Sequence, residues 1–369
     1  MNDGPRLTHV SVAPDGLHVR FAGHPEPEVY GWFWLMDHSE DETSLDPDNL
    51  QRLVDTFTLP TDVRGVSASL DGDEVTVTWS DGSTPGRFSA SMLASVAGLH
   101  DAWPARVLWS AGSQPSRPSS VPFADVMDGD GGVRRWLTDV HVHGFGLVSG
   151  VTPTREAAEA LARRIAYPRE SIFGAMWTLS SEVKPHDDSA YSTSFLEPHT
   201  DGTYSHDGPG LQMFVGLERD GTGGESILVD GFAVAEQLRD DDPAAFAMLA
   251  TTEVPARYLE KGVHLQAQRP TIRLDHAGDI QQVSFNNYDR APFRLPPPAM
   301  AEFYLAYDAL HRRLNDRDHW CLIHIEPGDA LVFDNWRTLH GRLSYTGRRV
   351  FEGCYHHHED FESRLRMLL

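Results

Sequence analysis

Past residue 210 the chain is cut into short β segments, and no other feature restricts its architecture as tightly. The segments 211–217, 226–229, 281–285, 322–325, 330–333 and 350–355 hold only a few apolar, β-branched or aromatic residues each. Gly, Asn, Asp and Pro punctuate the gaps, and one helix interrupts the series, with Phe303, Tyr307, Leu310 and Leu314 as its apolar stripe. Strands this short, joined by turns, bury their faces by closing into a jelly roll or barrel. The expected fold class is mainly β with flanking helices: a double-stranded β-helix (jelly roll) domain preceded by a small β-rich N-terminal domain.

The length of 369 residues, at roughly 150 per domain, also points to two domains. With 40% hydrophobic residues, 17 Phe and 9 Trp, the chain can fill large cores. Its 31 basic against 54 acidic residues leave a formal charge of −23, which repels nucleic-acid phosphates and anionic lipid alike. No apolar run approaches the roughly 20 residues that span a bilayer. The opening Met1-Asn2-Asp3-Gly4-Pro5 lacks the basic and apolar regions of a signal peptide, so a cytoplasmic protein without nucleic-acid or membrane partners is expected. Cys321 and Cys354 are too few for a disulfide framework or a cysteine-rich zinc site; any metal must be held by His, Asp and Glu.

The N-terminal part reads as strands at 17–21, 29–35 and 74–79, the last running into the turn Ser80-Asp81-Gly82-Ser83, with the acidic run 37–42 as a solvated loop. Ser and Pro crowd residues 112–120 and exclude helix or inner strand there. The expected organisation is a small domain over 1–110, a linker over 111–120 and the larger domain over 121–369. The larger domain should open with a buried strand over 140–148, in which His141 and His143 share a face. With no third ligand near, they read as satisfied core or surface histidines. Thr152 then reads as the cap of a helix with Pro153 at its first position and Ala157, Ala158, Leu161 and Ile165 on its apolar side.

Chemistry concentrates at Pro198-His199-Thr200-Asp201-Gly202. Alternate residues of an extended segment point the same way, so His199 and Asp201 can reach one ion together. Asp334-Asn335-Trp336-Arg337-Thr338-Leu339-His340-Gly341-Arg342 supplies a third ligand, His340, at the end of an apolar β segment. Two imidazoles and one carboxylate leave adjacent positions of an octahedral metal open, the arrangement of non-haem Fe(II) oxygenases.

The surrounding motifs extend the pattern: Gly221-Thr222-Gly223-Gly224-Glu225-Ser226-Ile227-Leu228-Val229-Asp230-Gly231-Phe232, Ser284-Phe285-Asn286-Asn287-Tyr288-Asp289-Arg290, and Gly347-Arg348-Arg349 with Gly353-Cys354-Tyr355. In this order, from about Asp139 to the C-terminus, the chain resembles the γ-butyrobetaine and trimethyllysine hydroxylases, a branch of the Fe(II)/2-oxoglutarate dioxygenases related to taurine dioxygenase. The resemblance implies that the jelly roll is catalytic. It further implies Fe(II) as cofactor, 2-oxoglutarate and O2 as cosubstrates, and hydroxylation of an aliphatic C–H with release of succinate and CO2. It matches His199, Asp201 and His340 to the iron ligands. Arg349, nine residues after His340, matches the arginine that pairs with the distal carboxylate of 2-oxoglutarate, and Ser226 a hydroxyl residue on the same carboxylate. Arg348 should point to the opposite side of the strand as a surface charge. For Arg337 and Arg342 a structural ion pair and a site contact both remain open.

The resemblance also places Phe173, Trp177 and Tyr191, with Tyr204 as a further wall, where the family cages a trimethylammonium group. A quaternary ammonium donates no hydrogen bond, so aromatic faces are its receptor; the plain alternative is that these rings are core. Phe173 stands where the family more often has tyrosine. Asp188 stands where the γ-butyrobetaine enzyme has an asparagine facing the substrate carboxylate, and an aspartate there would repel a carboxylate or accept an α-ammonium. Asn287 and Arg290 are candidates for the anionic end of the substrate. The expected partner is thus a small zwitterion of the trimethylammonio-ethylphosphonate, trimethyllysine or γ-butyrobetaine type. Trp34-Leu35-Met36-Asp37 is followed by His38-Ser39-Glu40-Asp41, without the cysteines that bind zinc in family members, so no zinc is expected. A homodimer is implied by the resemblance, and His356-His357-His358 reads as a solvated or adventitious metal-binding stretch. A natural-product tailoring oxygenase and a non-catalytic metal-binding sensor are the competing readings.

Overall fold

Burial at period two builds the first unit: along Glu74–Trp79 the side chains of Val75, Val77 and Trp79 turn inward while Glu74 and Thr78 face water. The computed structural model describes residues 6–99, 103–110, 119–180 and 192–369. Its first compact unit, Met1–Trp103, holds two three-stranded antiparallel sheets, Leu7–Ala13/Gly16–Phe21/Glu28–Tyr30 and Gly65–Asp71/Glu74–Trp79/Gly86–Ser89. The expected strand over 29–35 divides into the strand Glu28–Tyr30 and the helix Trp32–Asp37, because Trp32 and Leu35, three apart, both reach the core. The acidic run is a built turn rather than a solvated loop. Asp41 is buried and accepts from Ser39 Oγ at 2.7 Å and from Thr43 N at 2.9 Å.

The second unit is Pro104–Leu369, so residues 104–110 precede the expected linker yet belong to the larger domain. Val107 N donates to Val142 O at 2.9 Å, and the Trp109 indole donates to His143 O at 2.6 Å. A four-stranded sheet runs in the order Leu196–His199, Thr338–Arg342, Ser226–Asp230, Cys321–Ile323. A six-stranded sheet runs Val121–Pro122, Phe145–Ser149, Asp329–Asp334, Leu211–Gly223, Tyr345–His356, Trp177–Ser180. Phe145, Leu147, Phe214, Phe333 and Phe351 of the larger sheet share one apolar core with Leu228 and Ile323 of the smaller. On the other side of the four-stranded sheet, Ile227, Val229 and Leu339 pack against helices Gly231–Asp241, Pro243–Thr251 and Pro297–Leu314.

The two helices that begin at Gly231 and Pro243 correct the expectation of a single interrupting helix. Each has a capping aspartate: Asp230 accepts from Phe232 N and Ala233 N, and Asp242 accepts from Ala245 N ahead of Pro243. The segment 140–148 is likewise no single strand. Val133, Trp136, Leu137 and Val140 follow helical spacing and are fully buried, so the helix Asp130–His143 persists until Gly144 turns left-handed (φ +80°), and only then does Phe145–Ser149 extend. His141 and His143 therefore point about 200° apart and do not share a face. The next helix is Arg155–Ala162, capped by Thr154 rather than Thr152, with Thr154 Oγ1 accepting from Ala157 N at 3.3 Å. His356 and His358 are buried, contrary to the solvated reading, and His358 stacks on Trp336 with ring centroids 4.2 Å apart. Among the described residues no helix is long and apolar enough to cross a membrane.

Candidate metal centre and cavity

Antiparallel pairing brings the chemistry of distant segments to one spot. His340 lies opposite His199 on one neighbouring strand and opposite Leu228 on the other, and Arg342, two residues on, lies opposite Ser226. Period two turns His340, Arg342, Ser226 and Leu228 to the same side, into a cavity of about 270 Å³ between the sheets. Asp201 follows the strand Leu196–His199, just before a left-handed Gly202 (φ +69°) whose Cβ would stand 2.4 Å from Pro209. Asn335 clamps this turn: its Oδ1 accepts from Asp201 N at 2.8 Å and its Nδ2 donates to Asp201 O at 3.1 Å. One ligand atom from each of His199, Asp201 and His340 lies within 4.8 Å of the others.

The protonation pattern suits a cation. His199 Nδ1 lies 2.8 Å from Glu197 O; a carbonyl only accepts, so Nδ1 carries a hydrogen, and Nε2 faces Asp201 Oδ1 at 3.3 Å, where, against burial, the carboxylate raises the His199 pKa until a cation takes the place of the Nε2 proton. Burial alone would raise the Asp201 carboxyl. The hydrogen bond and charge of His199, with the Tyr355 hydroxyl, outweigh it and hold the group below the usual carboxylate range. Burial, reinforced by His199, pushes His340 down to about 3 and so keeps it neutral. An ionised carboxylate and a neutral imidazole are the forms that bind metal.

The inner end of the cavity is cationic. Arg349, Phe351 and Tyr355 share the inward face of Tyr345–His356 at period two. The Arg349 guanidinium lies 3.9 Å from the Phe351 ring centroid, is buried, and has no hydrogen-bond partner for its Nε among the described residues. Burial, then the charge of Arg342, lowers its pKa. Arg342 also lines the cavity and donates to Ser194 O at 3.0 Å. Arg337 does not: it is a structural ion pair with Asp230 at 2.8 Å, both side chains buried. Arg348 faces outward and pairs with Glu218 at 3.1 Å.

The remaining walls are aromatic. Phe173, Trp177 and Tyr204 line the cavity, joined by Tyr258, Tyr288 and Tyr355, which sequence reasoning had not assigned to it. Tyr258 meets Phe173 at 6.0 Å and Tyr204 at 5.1 Å between ring centroids. Tyr258 sits on the hairpin Glu253–Glu260/Val263–Pro270; the inward alternation of Ala256 and Tyr258 before a turn glycine, Gly262, was its only signal. Asp188 and Tyr191 lie outside the described residues. Among those described, the walls do not include Asn287 or Arg290. Arg290 Nε donates to Asn287 Oδ1 at 3.2 Å, and its guanidinium lies over the rings of Tyr304 and Tyr307. Asn286 and Asp289 line the cavity instead, with Asn286 Nδ2 donating to Asp289 Oδ2 at 2.9 Å.

Trp177 owes its place to Gly353, against which its ring packs: a Cβ there would stand 2.3 Å from the indole. Gly353→Ala should therefore displace Trp177, cost about 1–3 kcal/mol in stability and raise the substrate KM by about tenfold. Thermal denaturation alongside steady-state kinetics checks it, and an unchanged KM would contradict the placement of Trp177.

A buried face of two histidines and one carboxylate, opening on a cavity with a cationic inner end, defines the donor set of a non-haem iron oxygenase. Residues 110–355 match the family model described as "Taurine catabolism dioxygenase TauD, TfdA family". The chain belongs to that family, and it is an Fe(II)- and 2-oxoglutarate-dependent dioxygenase. It is 31% identical over 366 residues to trimethyllysine dioxygenase, mitochondrial, of Gallus gallus, covering 96% of this chain and 86% of that one. It is 35% identical over 255 residues to gamma-butyrobetaine dioxygenase of a Pseudomonas species, covering 68% of this chain and 66% of that one. A solved structure of an asparagine oxygenase with Fe(II), hydroxyasparagine and succinate is 14% identical, with a TM-score of 0.49 over 64% of this chain and 80% of that one.

Proposed function

We propose that the enzyme hydroxylates an aliphatic C–H of a small trimethylammonium zwitterion, in a jelly-roll catalytic domain. His199, Asp201 and His340 hold the iron. Arg349 and Ser226 hold the distal carboxylate of 2-oxoglutarate, and Phe173, Trp177, Tyr191 and Tyr204 cage the trimethylammonium group. Iron and 2-oxoglutarate, when bound, supply the oxidation: one atom of O2 enters the substrate and the other enters succinate as CO2 leaves. The protein's part is to orient and to exclude water. A guanidinium fork suits a buried carboxylate because it is planar, bidentate and permanently charged. Aromatic faces bind a quaternary cation that cannot donate hydrogen bonds.

The observation that carries this reading is the aromatic wall of Phe173, Trp177 and Tyr204 in the same cavity as the three ligating side chains. The names of the relatives, trimethyllysine and gamma-butyrobetaine dioxygenase, support it. The decisive assay measures succinate formed from 2-oxoglutarate by the Fe(II)-loaded protein. Its panel contains trimethyllysine, γ-butyrobetaine, trimethylammonio-ethylphosphonate and the corresponding unmethylated amines. Stimulation by a trimethylated compound but not by its amine is expected. Background turnover with every compound would keep the reaction class, remove the substrate reading and favour a tailoring oxygenase.

A further inference from the structure

We propose that Tyr355 is a positioning residue for the metal carboxylate, its hydroxyl holding Asp201 to one-oxygen ligation while its ring forms a wall of the substrate cavity. The inference rests on the iron assignment proposed above and is independent of which substrate the cavity takes.

The two oxygens of Asp201 face different partners. Oδ1 lies 3.3 Å from His199 Nε2 and 3.8 Å from His340 Nε2, toward both imidazoles. Oδ2 accepts the Tyr355 hydroxyl at 2.8 Å. A carboxylate can ligate through one oxygen or both, and two-oxygen ligation consumes a coordination position that a two-histidine, one-carboxylate site leaves open. A hydroxyl on Oδ2 favours the one-oxygen mode, and a hydrogen bond to an ionised group is about twice as strong as a neutral one. Asn335 already fixes the backbone of Asp201 on both its N–H and its carbonyl. What remains free is the side-chain torsion of Asp201, and the Tyr355 hydroxyl is placed to fix it.

The same tyrosine belongs to the cavity wall. It shares the inward face of its strand with Arg349 and Phe351, and its ring meets Trp177 at 5.5 Å between centroids with planes 52° apart. A ligand resting on Trp177 and Tyr355 is thus one phenol away from the outer oxygen of the metal carboxylate.

Tyr355→Phe keeps the ring and removes the hydroxyl. Binding of Mn(II), a redox-silent stand-in for Fe(II), can be followed by the paramagnetic signal of the free ion, without cosubstrate or substrate. The expected result is a Kd raised about ten- to a hundredfold, as for loss of other groups that orient a metal ligand, with the melting temperature of the metal-free protein unchanged. Unchanged Mn(II) affinity would overturn the assignment. So would an affinity loss matched by destabilisation of the metal-free protein, since general packing would then explain it. If the unsubstituted protein bound no Mn(II), the iron site and the role of Tyr355 would fall together. Because no trimethylated compound enters this experiment, failure of the substrate reading leaves its outcome untouched.

Discussion

Replacing Arg349 with methionine should raise the KM for 2-oxoglutarate by about two to three and a half orders of magnitude and, in the ligand-free protein, raise the melting temperature. The two effects have one source. Arg349 is 7% exposed, its guanidinium lies over the Phe351 ring, and it shares its end of the cavity with a second buried arginine, Arg342. Burial and the charge of Arg342 both oppose its cationic form, so its folded pKa is depressed to about 9. A base with a depressed folded pKa binds its proton less tightly in the native state than in the unfolded one. At neutral pH its charge is therefore a stability cost, present at every pH below the depressed value. Methionine removes the charge and keeps an apolar stem against Phe351, which should return about 1 kcal/mol, or a few degrees in Tm. With 2-oxoglutarate bound the sign reverses. Removing one partner of a buried ion pair costs about 3–5 kcal/mol, which at 1.4 kcal/mol per decade gives the expected loss of affinity. Melting curves with and without 2-oxoglutarate, beside steady-state kinetics, separate the terms. A variant that 2-oxoglutarate still stabilises as strongly as the parent would remove Arg349 from the cosubstrate site.

How much of this was legible in the sequence depended on whether a residue's partners are set by strand periodicity or by tertiary packing. The segment 350–355 falls inside the observed strand Tyr345–His356, and 226–229 inside Ser226–Asp230, because buried strands declare themselves by short β-branched and aromatic runs. His199 and His340, distant in sequence, were grouped by their motifs, and strand pairing sets them opposite each other. The segment 140–148 was misread because its valines carry β propensity, whereas its register is set upstream by Trp136 and Leu137, where helical spacing wins. The offset from Asn287 to Asn286 is one residue, enough to turn a side chain away from the cavity when the local backbone is not a regular strand. Tyr258 was missed because its hairpin carries none of the motifs beyond the alternation before Gly262, and its role comes from packing on Phe173 and Tyr204.

Arg337 shows the same limit from the other side, and its replacement should be the most damaging to the fold. Its neighbourhood in the sequence is rich in site residues, which left a ligand contact and an ion pair equally open. The structure buries it to 1% exposure and distributes its donors over three segments. Nε and Nη2 reach the two oxygens of Asp230 at 3.1 and 2.8 Å, and Nη1 and Nη2 reach Val142 O at 3.0 Å and Val107 O at 2.6 Å. Asp230 in turn caps the helix Gly231–Asp241 and accepts from Trp109 N at 3.1 Å. Arg337→Met leaves the Asp230 carboxylate buried without its cation and removes the side-chain donor from Val107 O, while Val142 O keeps its bond from Val107 N, so a loss of about 3–5 kcal/mol is expected. At about 2–4 °C per kcal/mol for a unit of this size, Tm should fall by about 6–20 °C. Adding Asp230→Asn, which keeps a capping oxygen and removes the stranded charge, should recover part of the loss, because the two residues act as one pair. Strict additivity of the two substitutions in a denaturation cycle would show instead that the ion pair contributes nothing beyond its separate hydrogen bonds.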